Sequence, residues 1–386
     1  MATNIYGDGI NSTIGENTIK HYYDRAGIKA ATATNVYGQW ADRKSMPLKM
    51  GKTFKISKFL NIYDRDLADA DFATKGYLTA RNVTDVTNGM PTLAEGAGAV
   101  NKQSIKKVTF ETSFARYGEM IDYTDEVEIW SEDSVQVRYR EQLGELANRR
   151  VEDLIQLDML GTGTVMYSGG ATSNATLGAG LAADGSEDDA YRISYDLIRR
   201  ASKKLVRNRA SKNTQIVTGS TKIDTRTINK AFYAIVGPEV KFDLEGLTRG
   251  SGSAEEFAYI PAYKYAAAAN LAEGEVGAMH DVRFIESESA VVYAGQGADI
   301  PVDYAGTLSN DGTKFDVFPV LFPTQGSFAT VGLKGHSKIK FNSKSPSKVE
   351  LSNPYGTQGF FSYNFFYAGI ILEEEKLLKI NVLASA

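Results

Sequence analysis

His21, His280 and His336 are the three histidines of this 386-residue chain and the first candidates for proton transfer or metal binding. They stand far apart and form neither an HExxH nor an HxH pattern, so no zinc ligand set is present. Each is expected to be an ordinary surface or packed histidine. Cysteine is absent, which excludes disulfides, thiolate nucleophiles and thiolate metal sites, and a reducing cytoplasm is the compartment expected from that. The 36 glycines supply no phosphate cradle. Gly161-Thr162-Gly163 and Gly178-Ala179-Gly180 lack both the further glycine and the lysine that a dinucleotide or P-loop site needs. No G-x-S-x-G elbow occurs. Asp184-Gly185-Ser186-Glu187-Asp188-Asp189 gathers carboxylates as a calcium loop does, but without the EF-hand ligand order, so a solvated acidic loop is expected. The sequence therefore assigns no catalytic, cofactor-binding or metal-binding residue.

The strongest charge feature is a basic stretch, Arg199, Arg200, Lys203, Lys204, Arg207, Arg209 and Lys212. It is either a patch facing DNA phosphates or a surface meeting acidic groups of another subunit. Against both stands the plainer reading, the solvent face of an amphipathic helix with Tyr195, Ile198 and Leu205 turned inward. No aromatic stacking pattern accompanies the charges, which weakens the nucleic-acid reading. The whole chain carries 43 basic and 47 acidic residues, a net charge of −4, whereas dedicated nucleic-acid binders have a basic excess. Hydrophobic residues at 42% and charged residues at 23% are the proportions of a folded protein. Met1 to Lys20 lacks the apolar core of a signal peptide, and no run of about 18 apolar residues offers a membrane span.

The elements that would position these residues are mixed. Residues 1–50 are polar, with a short helix expected from Ile19 to Ala33 and little that forms a core. Lys52–Lys58 and Lys107–Phe114 alternate apolar and polar residues, the mark of strands with one buried face. The long polar stretch between them suggests an extended hairpin-like projection. Ser131–Leu160 is the clearest helix: Val135, Tyr139, Leu143, Leu146, Ala147, Val151, Leu154 and Ile155 form one apolar stripe. Ser131 or Asp133 caps its start, Glu145–Arg149 and Arg149–Asp153 are favourable pairs, and Gly161 and Gly163 stop it. A Gly/Ser-rich linker is expected over Gly161–Gly185, then a second helix from Ser194 to about Arg207. Further on, Ala231–Val236 is an apolar run, Glu255–Leu271 turns helical after Pro261, and Asn310-Asp311-Gly312 precedes a strand over Lys314–Phe322. Phe360–Leu372 reads as a buried strand, and a last strand covers Leu377–Leu383. The class is α+β, without regular βαβ alternation or internal repeats.

Two stretches carry a resemblance. The first is Leu93-Ala94-Glu95-Gly96 in the projection, then Tyr117-Gly118-Glu119-Met120-Ile121-Asp122-Tyr123-Thr124 before the long helix. The second is Gly274-Glu275-Val276-Gly277 followed by Val282-Arg283-Phe284-Ile285-Glu286-Ser287. In this order, over nearly the whole chain, they resemble the major capsid proteins of N-four-type podophages, which have the Hong Kong-type coat fold of tailed phages and herpesviruses.

The resemblance implies a division of parts. Residues 1–50 become an N-terminal arm, 51–123 an extended E-loop with its flanking strands, and 124–215 a peripheral domain with the spine helix at 131–160. Residues 216–341 become mainly an axial domain, and 342–386 strands returning to the peripheral domain. The implied product is a self-assembling shell subunit, not an enzyme, with pentamers and hexamers forming an icosahedral head around double-stranded DNA. Implied partners are further copies of the chain, a separate scaffolding protein, a portal protein and packaged DNA bound without sequence specificity; decoration proteins are allowed and no membrane is involved. Its place is the virion, after assembly in the host bacterial cytoplasm. Some relatives crosslink through a lysine and an asparagine, but nothing here singles out such a pair. An encapsulin-like nanocompartment with the same fold, and a β-rich carbohydrate-binding or tail-fibre protein, are the competing readings.

Overall fold

The computed structural model describes residues 36–59, 95–96, 107–130, 135–217, 225–249, 256–257, 259–264, 271–336, 338–349 and 353–386. The helix expected at Ile19–Ala33, most of the projection, the helix caps Ser131 and Asp133, and residues 265–270 lie outside these.

The described chain opens in the core. Tyr37 and Trp40 are buried, and β1 (Asp42–Met46) pairs in parallel with a strand nearly 300 positions later, Asp42 opposite Ala329. The polar character of residues 1–50 therefore hides an apolar anchor, Val36-Tyr37 with Trp40-Ala41, which sequence reading did not weigh. β2 (Thr53–Phe59) and β3 (Lys107–Ser113) then pair antiparallel from Thr53–Ser113 to Phe59–Lys107, forming the stem of the expected projection. Their alternation is the reason: Phe54, Ile56 and Phe110 pack on Met46, Val331 and Ile370, while Lys55 and Glu111 pair at 2.8 Å on the outer face.

β4 (Ala115–Thr124) leads into the short α1 (Asp125–Trp130) and the long α2 (Val135–Leu160). α2 is the expected spine, 26 residues and so about 39 Å long. Leu143, Ala147, Ile155, Met159 and Leu160 are buried, with Tyr139, Leu146, Val151 and Leu154 packed beside them, so the stripe does what its spacing implies. The salt links differ from expectation: Asp153 meets Arg150 at 3.9 Å, and Arg150 also reaches Glu119 of β4 at 3.1 Å. Arg150 lies on the side of the helix that faces the sheet, so it rather than Arg149 forms these links.

The segment Gly161–Gly185 is not a linker. Its β5 (Val165–Tyr167) joins a sheet beside the chain's last strand, and Leu177 and Leu181 fill a core with Leu308, Phe315, Val317 and Leu383. Its glycines serve tight backbone turns, Gly178 at φ 86° and Gly180 at φ 85°, not flexibility. α3 (Asp188–Tyr191) and α4 (Tyr195–Arg207) follow. The Ser194 hydroxyl accepts from the Leu197 N–H at 3.2 Å and fixes the start of α4. Arg209, at φ 54°, takes the left-handed position that ends it, and the Ala210 N–H closes back to the Leu205 carbonyl at 2.9 Å.

β6 (Asn213–Val217) and β7 (Thr225–Val236) come next, then α5 (Pro238–Glu245) with proline at its start. The pieces β8 (Thr248–Arg249), β9 (Glu256–Phe257) and β10 (Ile260–Pro261) follow, and of the helix expected over Glu255–Leu271 the described residues show a single turn, Ala262–Lys264. β11 (Glu275–Met279) and β12 (Val282–Glu286) make a hairpin turned by His280 at φ 57° and Asp281. β13 (Phe318–Phe322) is the regular part of the strand expected from Lys314. Before it, the Asp311 carboxylate accepts the Thr313 and Lys314 N–H groups and tightens the predicted turn. β14 (Phe328–Leu333), β15 (Lys340–Lys344), β16 (Gln358–Tyr367), β17 (Gly369–Ile371) and β18 (Leu378–Val382) complete the chain.

Among the described residues the largest sheet runs β10-β11-β12-β7-β13-β18-β5, with β6 also on β7. Its centre is apolar on both faces because both are covered. From β7, Phe232, Ala234 and Val236 face α4 and α5, while Tyr233 and Ile235 join the core of the spine. A second sheet, β15-β16-β4, lies against α2. Phe361, Tyr363, Phe365 and Tyr367 alternate along β16 into that core, Tyr123 stacking on Phe361 with centroids 5.5 Å apart. The expected single strand Phe360–Leu372 breaks at Ala368. There the chain leaves β4 and enters a third sheet, β1-β14-β17, through the Val331 N–H to the Ala368 carbonyl at 2.8 Å.

Candidate subunit-interaction surface

The histidines find structural uses or lie outside the described residues, as His21 does. His280 sits 3.7 Å from Asp281 in the hairpin turn, and His336 contacts the Lys340 ammonium at 2.7 Å. The acidic loop is divided among separate partners. Asp184 binds Ser186, Asp188 is buried and accepts from the Tyr304 hydroxyl and the Thr307 N–H, and Asp189 pairs with Arg192 at 2.7 Å. Among the described residues no group of three or more histidines and carboxylates is placed to hold a metal ion.

The basic stretch does not act as one face. Lys204 points inward, 8% exposed, and its Nζ donates to the Val165 carbonyl at 3.3 Å. Burial pushes its pKa down to about 8. Lys212 pairs with Asp281 at 3.1 Å and Arg200 with Asp196 at 2.7 Å, while Arg209 is held by its role at the helix end. Arg199 and Lys203 project outward, with Arg207 half-buried, and Ile198 and Leu205 are turned in as expected.

Exposed apolar side chains define surfaces that the search for chemistry missed. At the Thr124–Gln358 end of the β4–β16 ladder, α1 carries Val127, Ile129 and Trp130 in the open, Trp130 at 83% exposure. The turn beside it, built by Asn353 across Thr357 and Gln358, presents Tyr355. Met120 stands on the uncovered face of the same sheet, and Phe59 marks the end of the described projection stem. Phe242 and Tyr263 are exposed elsewhere. The alternation Glu126-Val127-Glu128-Ile129-Trp130 is the signal that could have flagged α1: too short for an apolar face of its own, yet ending in tryptophan. Scattered single apolar residues are ordinary, but an exposed tryptophan beside isoleucine and a tyrosine-bearing turn is a candidate contact surface.

A major capsid protein of Pseudomonas phage KPP21 is 30% identical to this chain over 393 residues, covering 97% of this chain and 95% of that protein. The chain belongs to the phage major capsid proteins. No family model matches it. Its fold is the α+β fold of phage capsids. The Ralstonia phage GP4 capsid superposes with a TM-score of 0.61 at 12% identity, over 98% of this chain and 99% of that one. The capsid of Helicobacter pylori bacteriophage KHP30 does so with 0.56 at 7% identity, over 99% of each. The role of this capsid protein is structural, and its place is the phage particle. The motifs behind the resemblance also have local causes. Gly118 lies where a Cβ would stand 2.6 Å from the Tyr363 carbonyl oxygen of the neighbouring strand. In the second motif, the buried Glu275 carboxylate takes the Ala272 N–H at 3.0 Å and the Arg283 guanidinium at 2.6 Å.

Proposed function

We propose that copies of this capsid protein close into pentamers and hexamers, and that these tile an icosahedral head around double-stranded DNA. The carrying observation is that exposed apolar residues stand in more than one place: Trp130 with Tyr355 at one end of the β4–β16 ladder, Phe59 at the end of the β2–β3 stem, and Tyr263 elsewhere. A subunit with one partner would gather such residues in one patch; a shell subunit meets several neighbours through modest contacts that add in avidity. In this reading the arm role belongs to residues ahead of Val36, since Val36, Tyr37, Trp40, Ala41 and Met46 are core. The projection between β2 and β3 is the E-loop, and β4, α2, β15 and β16 make the peripheral domain. The sheet around β7 with α5 makes the axial domain, and α4, expected within the peripheral residues 124–215, packs on that sheet instead. β16 supports the expectation that the C-terminal strands return to the peripheral domain, whereas β18 completes the axial sheet. A separate scaffolding protein, a portal protein and DNA held without sequence specificity remain its partners, with assembly in the host cytoplasm. Electron microscopy of the chain expressed with and without its genomic neighbours tests this. Closed shells or five- and six-membered rings are expected; monodisperse monomer under both conditions overturns it.

A further inference from the structure

Helix α4, about 20 Å long, runs between two depressions of opposite charge. At its N-terminal end a groove of about 730 Å³ is lined by Asp189, Asp196, Asp243 and Glu245 against a single guanidinium, Arg192. At its C-terminal end a hollow of about 580 Å³ lies over Phe232 between Val206, Lys212 and Lys230, with no carboxylate in its lining. The helix dipole favours Asp196 at one end and Arg207 at the other. It does not account for Glu245 on α5 or Lys230 on β7. Asp189, Asp196 and Lys212 are already paired within the subunit, and the buried Asp243 carboxylate is taken by Arg192 and Ser385. Glu245 and Lys230 are exposed and have no ion pair among the described residues. Each depression also has an apolar side chain standing at its lining in the open, Phe242 at 70% exposure in the groove and Val206 at 58% in the hollow.

We propose that these are the two halves of one contact between copies of this chain: the Phe242–Glu245 rim of one subunit seats in the Lys230 hollow of the next. The inference rests on the shell reading above and names two of the faces that it needs. Phe242 finds Val206 to cover it, while Glu245 approaches Lys230, an arrangement that fixes register as well as attraction. The two faces lie at opposite ends of one helix, so the contact is head to tail, the kind from which closed rings are built.

The natural chain has no cysteine, so an introduced pair reports cleanly. In particles made with the usual genomic neighbours, the double variant Glu245→Cys, Lys230→Cys is expected to give a disulfide ladder. That ladder should end at covalent rings of five and six, whereas a mixture of the two single variants should stop at dimers. In parallel, Glu245→Lys or Lys230→Glu alone is expected to raise the concentration needed for assembly about tenfold, and the two together to restore it. Unchanged melting of the isolated subunits shows that these surface changes leave the fold intact. Normal particles from both single reversals, with no ladder from the cysteine pair, overturn the contact and leave the capsid reading standing. An unmodified chain that makes no particle under these conditions overturns the shell reading, and this contact with it.

Discussion

Glu152 shows what one side chain does in this subunit. On the core face of α2, its carboxylate accepts the Tyr37 N–H at 2.8 Å and the Gly38 N–H at 3.1 Å. Beside it the Gln156 amide bonds the Tyr37 hydroxyl at 2.8 Å. The carboxylate thus ties the chain entering at Val36 to the spine. Replacing it with alanine strands buried donors, and Glu152→Ala is expected to cost about 1–3 kcal/mol in urea unfolding, with Glu152→Gln milder. Burial raises its pKa against the pull of those N–H groups. The folded chain then keeps the proton to higher pH than the unfolded chain does. Glu152 therefore contributes a stability that declines as pH rises from the unfolded carboxyl value to the folded one, and the glutamine variant should lack that slope. Lys204 has the opposite sign. With its pKa down at about 8, the unfolded chain binds more protons between about pH 8 and the ordinary lysine value, so stability rises with pH across that window. Lys204→Met is expected to match or exceed the parent melting temperature at pH 7, and the difference should shrink as pH climbs through the window. A large loss of stability at pH 7 would contradict this account.

At the scale of elements, the β4–β16 ladder is the piece on which the β15-β16-β4 sheet depends. It runs from Ala115 opposite Tyr367 to Thr124 opposite Gln358, and its inner face carries the aromatic column against α2. Gly118 sits where a side chain would meet the Tyr363 carbonyl oxygen, which cannot swing away as a flexible side chain can. Gly118→Ala is expected to part the strands locally and cost about 1–3 kcal/mol. Hydrogen exchange should show loss of protection centred on residues 116–120 and 362–366. Unchanged protection there would mean that the ladder absorbs a methyl group without shifting.

At the scale of the whole molecule, the residues that stabilise the subunit can be separated by experiment from those proposed to join subunits. Trp130 is almost wholly in solvent in the single subunit, so Trp130→Ser should change its unfolding free energy by no more than about 0.5 kcal/mol. If α1 meets a neighbour, the same variant lowers the yield of closed particles while isolated subunits melt normally. Particle counting by electron microscopy separates the two effects, and normal yield would remove α1 from the contact surfaces. Lys55–Glu111 on the projection stem is an exposed pair and contributes little to the subunit itself.

The sequence by itself determined the elements whose pattern is local. The alternation in Thr53–Phe59 and Lys107–Ser113, the 3.6-residue stripe of the spine and the Ser194 cap each follow from spacing along a few turns or pleats, and the structure has them. Tertiary structure decided what depends on partners far along the chain. Val36-Tyr37 became core because Glu152, over a hundred residues later, binds its N–H groups. Gly161–Gly185, glycine-rich enough to read as a linker, became an ordered wall because Leu177 and Leu181 meet Phe315 and Leu383. The seven basic residues parted ways because Val165 and Asp281 drew Lys204 and Lys212 aside, and no spacing rule within 199–212 contains either partner. The acidic groove is invisible for the same reason, since α3, α4, α5 and Ser385 form it only when folded together.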